Sequence, residues 1–155
     1  MKKRVSDSKT EQAHLLMPQH LNPYGRLFGG VLMQWIDVLA GIVGRRHCGI
    51  VVTTASIDNL TFIHPAYINQ MVVLVGCVTY VGHTSMEIRV DTYVEEMDGN
   101  RELINRAYVV MVAIDKEGNS MVVPGLELET ECERAEWENG KKRYDLRKLR
   151  RREGY

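Results

Sequence analysis

The stretch "NPYGRLFGGVLMQWIDVLAG" (Asn22–Gly41) decides how the rest of the chain must fold. From Phe28 to about Arg45 the apolar residues Val31, Leu32, Trp35, Leu39, Ile42 and Val43 recur at spacings of three and four, the period of a helix. Met33, Ile36 and Val38 widen this stripe until it runs nearly all the way round, so the helix is expected to be enclosed by other structure. Gly44, followed by the cationic pair Arg45–Arg46, marks its expected end, where cations suit the negative pole of the dipole. Two features break local rules. The helix opens on Gly29 and Gly30, although glycine weakens helices, and it carries Asp37 in its apolar middle, where a carboxylate is costly.

Outward from this helix the chain reads as strands. "EQAHLLM" is a short strand before Pro18, and Ile50–Ile63 is rich in β-branched residues and ends at His64–Pro65. Met71–Val81 is a long apolar run closed by the tight connector Gly82–His83. "TSMEIRVDTYVEEM" then alternates, with Met86, Ile88, Val90 and Val94 on one face and Glu87, Arg89, Asp91 and Glu95 on the other. Asp98–Gly99–Asn100 is a turn signal, "ELINRAYVVMVAID" the next strand, and "KEGN" the next turn. The fold class is therefore α+β, one long central helix packed on a curved antiparallel sheet of about five or six strands. Such a sheet leaves edges and part of the helix uncovered, and a partner subunit is the usual remedy, so at least a homodimer is expected.

The chain has 155 residues, 45% of them hydrophobic and 26% charged, which fits one soluble domain with a core of its own. Residues 1–126 read as that domain and 127–155 as a charged tail. The net charge is zero, but residues 1–130 carry −3 and residues 131–155 carry +3, so no whole-protein nucleic-acid footprint exists. Glu127, Glu129, Glu131 and Glu133 come first in the tail and "KKRYDLRKLRRR" last, a helix matched to its dipole, with Asn139–Gly140 expected to break it in two. A solvated or frayed helix is the plainer reading of it; a source of cations for a phosphorylated ligand is the sharper one. No apolar run is long enough to span a membrane, and "MKKRVSDSKT" lacks the apolar region of a secretory signal. Cys48, Cys77 and Cys132 are odd in number and form no CxxC pair, which suggests reduced thiols in the cytoplasm and no metal site.

The chain has no GxSxG elbow, Walker A sequence, GxGxxG loop or HExxH, and its five histidines have no ligand-like spacing. What remains is Asn22, Gly29, Gly30 and Asp37. Free amides at a helix start carry partial positive charge, and glycine lets a ligand approach them, which is how an oxyanion hole is built. The alternative is that both glycines merely permit a tight entry or close packing. Asp37 can act as general base toward water or as a nucleophile forming a mixed anhydride. The alternative is a satisfied buried aspartate bonded to a neighbouring backbone group. Seven or eight residues of helix separate the glycines from Asp37, roughly 10–12 Å along the axis. One small reacting group cannot touch both, so a shared reaction would draw them from different subunits.

Together "HLNPYGRLFGGVLMQWID", "VVTTASIDNLTFIHPA", "VGHTS" and "VAIDKEGNSMVVP" resemble the hotdog-fold acyl-CoA thioesterases, in the group of YciA-like and cytosolic acyl-CoA hydrolases, from about His14 to Pro124. The resemblance implies a helix wrapped by the sheet, protomers joined into a continuous sheet, and assembly into hexamers as trimers of dimers. It implies an acyl-CoA substrate, with coenzyme A as part of that substrate and no separate cofactor. Asp37 matches the catalytic carboxylate, and Asn22 the asparagine that faces it across the dimer interface. Gly29 and Gly30 match the helix start that polarises the thioester carbonyl. Val81, Gly82, His83, Thr84 and Ser85 match the loop used against coenzyme A. Tyr24, Met33, Trp35 and Phe62 are candidates for the acyl pocket. Two departures stand out: "AYINQ" replaces the usual Gly-Asp pair after Pro65, and the basic tail is outside the shared pattern. Two other readings remain: a hotdog hydratase, which would want a histidine beside the acid, and a non-catalytic acyl-CoA-binding or sensor module, which would not need Asp37.

Overall fold

The computed structural model describes residues 1–155. Periods of two and of about 3.6 alternate along the chain to give β1 (Lys2–Arg4), α1 (Val5–Ser8), β2 (Thr10–Leu15), α2 (Gly29–Cys48), β3 (Val52–Phe62), β4 (Met71–Val81), β5 (Ser85–Glu95), β6 (Arg101–Ala113), β7 (Gly125–Glu127) and α3 (Glu131–Glu153). A 3-10 turn at Pro18–His20 leads toward α2. Five strands form one antiparallel sheet in the order β2-β4-β5-β6-β3. The expected architecture, one long helix against an antiparallel sheet, is present.

The alternation of β5 decides which side α2 occupies. Met86, Ile88 and Val90 are buried with Leu74 of β4 and Val109 and Met111 of β6 in the same core as Leu32, Ile36, Leu39, Ala40 and Val43 of α2. Each large aliphatic side chain so buried contributes about 1.5–3 kcal/mol relative to exposure. Within the protomer the helix is covered by the sheet on one face and left open on the other, as expected of a sheet of this size. Its buried residues recur along one face, whereas Met33 and Val38 on the other remain 41% and 52% exposed. Its end also lies further on than Gly44. Gly44 stays helical and buried, and the cap is Gly49, which adopts φ 73° and donates its amide to Arg45 O. Arg45, Arg46 and His47 therefore occupy the last turn.

The N-terminal segment adds a strand that its composition did not announce. β1 pairs in parallel with β7 as a separate two-stranded sheet beside the C-terminal end of α2. His47, fully buried there, donates from Nε2 to Pro124 O at 2.9 Å, and its Nδ1 has no partner. After Pro65, Asn69 takes the left-handed conformation (φ 68°) and Gln70 Oε1 accepts from Tyr67 N, so "AYINQ" closes the turn in its own way.

The tail is one continuous helix, α3, with no break at Asn139–Gly140. A capping box between Thr130 and Glu133 starts it, with Glu133 N donating to Thr130 Oγ1 at 3.1 Å. It is neither frayed nor free in solvent, because it lies across the face of the sheet opposite α2. Trp137 packs on Tyr80, and Arg143 and Arg147 reach the buried Glu87. Gly140 is what lets it descend: a Cβ there would lie 2.7 Å from Tyr80 Cβ and 3.1 Å from Glu87 Oε1.

Helix propensity alone favours Gly140→Ala by about 1 kcal/mol. The contact with Tyr80 reverses the sign, so Gly140→Ala is expected to destabilise by about 1–3 kcal/mol in urea unfolding. A second expectation concerns acid. Burial pushes the His47 imidazole below its usual range, Lys3 acts in the same sense, and the Pro124 carbonyl and Asp7 oppose them. The unfolded chain thus takes up a proton near pH 6.5 that the folded chain refuses, and the stability held above that pH is lost as pH falls toward the folded value. The pH slope of unfolding free energy below 6.5 should be shallower in His47→Gln by up to about 1.4 kcal/mol per pH unit.

Candidate active site

The loop Leu21–Phe28 precedes α2 and is built around Asn22. Its Oδ1 accepts from Tyr24 N at 2.9 Å and Arg26 N at 3.1 Å, and its own amide donates to Arg26 O at 2.7 Å. This is an Asx turn, made because asparagine imitates a backbone carbonyl two residues on. With Oδ1 committed to the loop, Nδ2 is the group left to donate outward. The loop is tied down by Leu27 N to Ala66 O and Phe28 N to His20 O, both 2.8 Å.

Phe28 caps α2 without a side-chain acceptor, and no group of the protomer takes the amide protons of Gly29 or Gly30. The two glycines differ in their surroundings. A Cβ on Gly30 would come 2.8 Å from the ring of the half-exposed Phe28, so a larger residue there would have to turn that ring aside. A Cβ on Gly29 would stand 3.4 Å from Phe62, an ordinary contact. Asn22, Arg26, Leu27, Phe62, Ile63, His64 and Pro65 line a groove of about 280 Å³ at this end of α2.

Asp37 lies two turns further along α2, half-buried on the side away from the core. Its partner is a hydroxyl rather than the backbone: Thr54 Oγ1 of β3 donates to Asp37 Oδ1 at 2.5 Å. Thr54 was not singled out from the sequence. The only signal was a pair of threonines in the strand that follows the helix, and which of the two faces α2 depends on register. Val81–Ser85 form the β4–β5 connection, with Gly82 N donating to Ser85 O at 2.8 Å and His83 exposed. Met86, next to this loop, packs near Gly44, so the loop lies toward the C-terminal half of α2, away from Asn22.

Within the protomer the candidate residues thus form two groups, Asn22 with Gly29 and Gly30 at the helix start and Asp37 with Thr54 further along. Of the side chains considered for an acyl pocket, Trp35 is engaged by its own protomer. It stacks on His14 at 4.0 Å and meets His20 edge-on at 5.0 Å. Burial, and then the neighbouring His20, lower the His14 pKa. Tyr24, Met33 and Phe62 are exposed. No three His, Cys, Asp or Glu side chains are grouped to hold a metal ion.

Residues 24–99 match the family model of the thioesterase superfamily. The uncharacterized acyl-CoA thioester hydrolase YkhA of Bacillus subtilis is 38% identical over 82% of this chain and 74% of its own length. The chain belongs to the thioesterase superfamily. It spans only 40% of the length of the human cytosolic acyl coenzyme A thioester hydrolase, with which it shares 35% identity over 95% of this chain. Among solved structures, a Staphylococcus aureus acyl-CoA hydrolase in complex with butyryl coenzyme A superposes with a TM-score of 0.94 at 33% identity, covering 99% of this chain and 94% of that one. Alanine variants of that hydrolase replace an asparagine, an aspartate and a threonine spaced 15 and 17 residues apart. A hexameric acyl-CoA thioesterase superposes at 0.92 with 35% identity and 96% of both chains covered. The helix wrapped by an antiparallel sheet is the hotdog fold of this superfamily.

Thr54→Val keeps the shape of residue 54 and removes the proton that Asp37 accepts. It is expected to lower thiol release from an acyl-CoA by roughly 10- to 100-fold, because Asp37 loses the one hydrogen bond that fixes its direction.

Proposed function

We propose that this protein hydrolyses acyl-CoA thioesters to the free acid and coenzyme A, with one active site assembled from two subunits. The observation that carries the reading is the Thr54–Asp37 hydrogen bond, which holds a half-buried carboxylate by one oxygen and leaves the other free. Asn22, Asp37 and Thr54 are spaced 15 and 17 residues apart, the same residue types at the same intervals as those replaced in the Staphylococcus aureus hydrolase.

In the proposed reaction the thioester carbonyl points at the free amides of Gly29 and Gly30, which stabilise the oxygen as it becomes negative. Asn22 Nδ2 donates to the same carbonyl or to the attacking water. Asp37 of the other subunit takes a proton from water, and the resulting hydroxide adds to the carbonyl carbon. Collapse of the tetrahedral adduct breaks the C–S bond and expels the coenzyme A thiolate, to which the proton on Asp37 can return. The protein supplies every group in this sequence, so no cofactor beyond the coenzyme A of the substrate is invoked. Val81, Gly82, His83, Thr84 and Ser85 are the proposed contacts for coenzyme A.

The need for a second subunit is supported by what the protomer leaves open. Val38, Gly41, Ile42, Arg45, Val51 and Val52 line an uncovered groove of about 320 Å³ between α2 and β3. Along the length of α2 and β3, Phe28, Met33, Val38, Val51, Phe62 and Ile63 are 41–63% exposed, and β3 has a neighbour on one side only. A homodimer covers these surfaces, and a hexamer made of three such dimers follows the hexameric relative. Three free cysteines and the likeness to cytosolic hydrolases favour the cytoplasm. No helix is long and apolar enough to cross a membrane.

Thiol release from a panel of acyl-CoAs tests the activity: wild type should hydrolyse several, and Asp37→Ala should lose at least roughly 100-fold. A wild type inactive on all of them ends the reading. Co-expression of Asn22→Ala with Asp37→Ala subunits tests the shared site. Random pairing restores about a quarter of wild-type activity if the residues face each other across the interface, because each mixed dimer then has one intact site. It restores none if both come from one subunit.

A further inference from the structure

The carboxylate of Glu87 is buried on the side of the sheet away from the proposed chemistry, with its side chain 0% exposed. Thr79 Oγ1 donates to its Oε1 at 2.7 Å, and Arg143 donates to both oxygens at 2.8 and 2.9 Å. Arg143 also lies 3.7 Å over the Tyr108 ring of β6. A buried carboxylate needs such partners, and the bidentate fork supplies them. One helical turn further, Arg147 Nη1 lies 3.3 Å both from Glu87 Oε2 and from Asp58 Oδ2 of β3, with its side chain only 11% exposed. Arg150 adds a longer approach to Asp58 at 3.7 Å. Helix α3 thus runs from β4, where Trp137 meets Tyr80, across β5 and β6 to the far edge of the sheet.

What it grips at that edge is the irregular part of β3. Pairing of β3 with β6 is regular at Asp58↔Tyr108, resumes only at Thr61↔Arg106, and Asn59 between them takes φ 53°. From the opposite face Asn105, itself fully buried, donates Nδ2 to Thr61 O at 2.7 Å. The bulge is therefore held on both sides. Four residues before Asp58 is Thr54, bonded to Asp37, and four residues after it is Phe62, whose ring tip lies beside Gly29.

We infer that Arg147, anchored on Glu87, is a positioning residue for the reaction. By holding Asp58 it fixes the bulge of β3 and so sets both Thr54 against Asp37 and Phe62 against the start of α2. The basic helix thereby acts on the site from behind the sheet, through β3. This assignment rests on the thioesterase reading above.

The test compares Arg147→Met, Asp58→Asn, the double variant and Arg147→Lys, with Lys141→Met as the control for loss of an exposed cation on the same helix. For each, kcat and KM are measured on one acyl-CoA, together with amide hydrogen exchange of residues 54–62 and the thermal midpoint. Arg147→Met and Asp58→Asn are each expected to lower kcat roughly tenfold with KM changed less than about twofold, and to speed exchange in 54–62. The double variant should lose no more than either single, Arg147→Lys should recover part of kcat, and Lys141→Met should match wild type. Unchanged kcat in the single variants overturns the assignment, even where exchange accelerates, as does unchanged exchange or additive losses in the double variant. If Arg147→Met fails to fold, Asp58→Asn carries the test, because it leaves the Glu87–Arg143–Arg147 anchor in place. Exchange needs no substrate. A wild type that cleaves no acyl-CoA refutes the thioesterase reading, while unaltered protection of 54–62 refutes the strap.

Discussion

Strand β3 has one neighbour, and much of the molecule is arranged around that fact. An edge strand offers unpaired amides and carbonyls, and this one is long, interrupted twice in its register, and only partly buried. Four contacts from three directions compensate. Asp37 of α2 accepts from Thr54, Asn105 of β6 donates to Thr61 O, Arg147 of α3 donates to Asp58, and the Phe62 ring tip lies beside Gly29. Loosening the strand would disturb the helix start and the carboxylate together, because both are defined relative to it.

Helix α2 obeys two sets of demands on two faces. Leu32, Ile36, Leu39, Ala40 and Val43 bury one face in the core, and the other keeps Met33, Asp37 and Val38 outside it. A helix read as apolar nearly all round is thus amphipathic with respect to its own protomer, and its second apolar face awaits another surface. The same geometry leaves Asp37 half-buried on the outer face, with one carboxylate oxygen held by Thr54. The glycines differ in their neighbours, Gly30 standing beside the Phe28 ring and Gly29 beside Phe62, and the open amides belong to both.

The parts legible in the sequence were those governed by short periods. The spacing of Leu32, Trp35, Leu39 and Val43 located α2, and the alternation from Met86 to Glu95 assigned both faces of β5 correctly. Failures came where a long-range contact overrode a local preference. Gly44 has the local signature of a cap, because glycine ends helices, but it is buried in the interior of α2 and Gly49 takes the left-handed position. Gly140 was read as a break because glycine interrupts helices, whereas it is the point at which α3 meets Tyr80. Thr54 was invisible for another reason: a threonine in a strand is ordinary, and only the register of β3 against α2 turns it toward Asp37. The pairing of Lys2–Arg4 with β7 likewise joins residues more than 120 positions apart.

Glu87 shows why the tail could not be understood from its charge alone. In β5 it occupies the polar side of a clean alternation, which predicts exposure, and a bare carboxylate there would be solvated. Covered by α3 it is fully buried, and a buried charge is tolerated only when its remaining lone pairs are met. Thr79 and Arg143 meet them, and Arg147 shares the second oxygen with Asp58. The arrangement gains little net stability over an apolar contact of the same size, since desolvation offsets most of the attraction. Its effect is directional. The fork of Arg143 fits one orientation of Glu87, Gly140 admits one depth of approach, and Arg147 then has one place to reach. A greasy strap could slide along the sheet; a helix keyed by a buried carboxylate cannot, and the strand it grips is the one that carries Thr54.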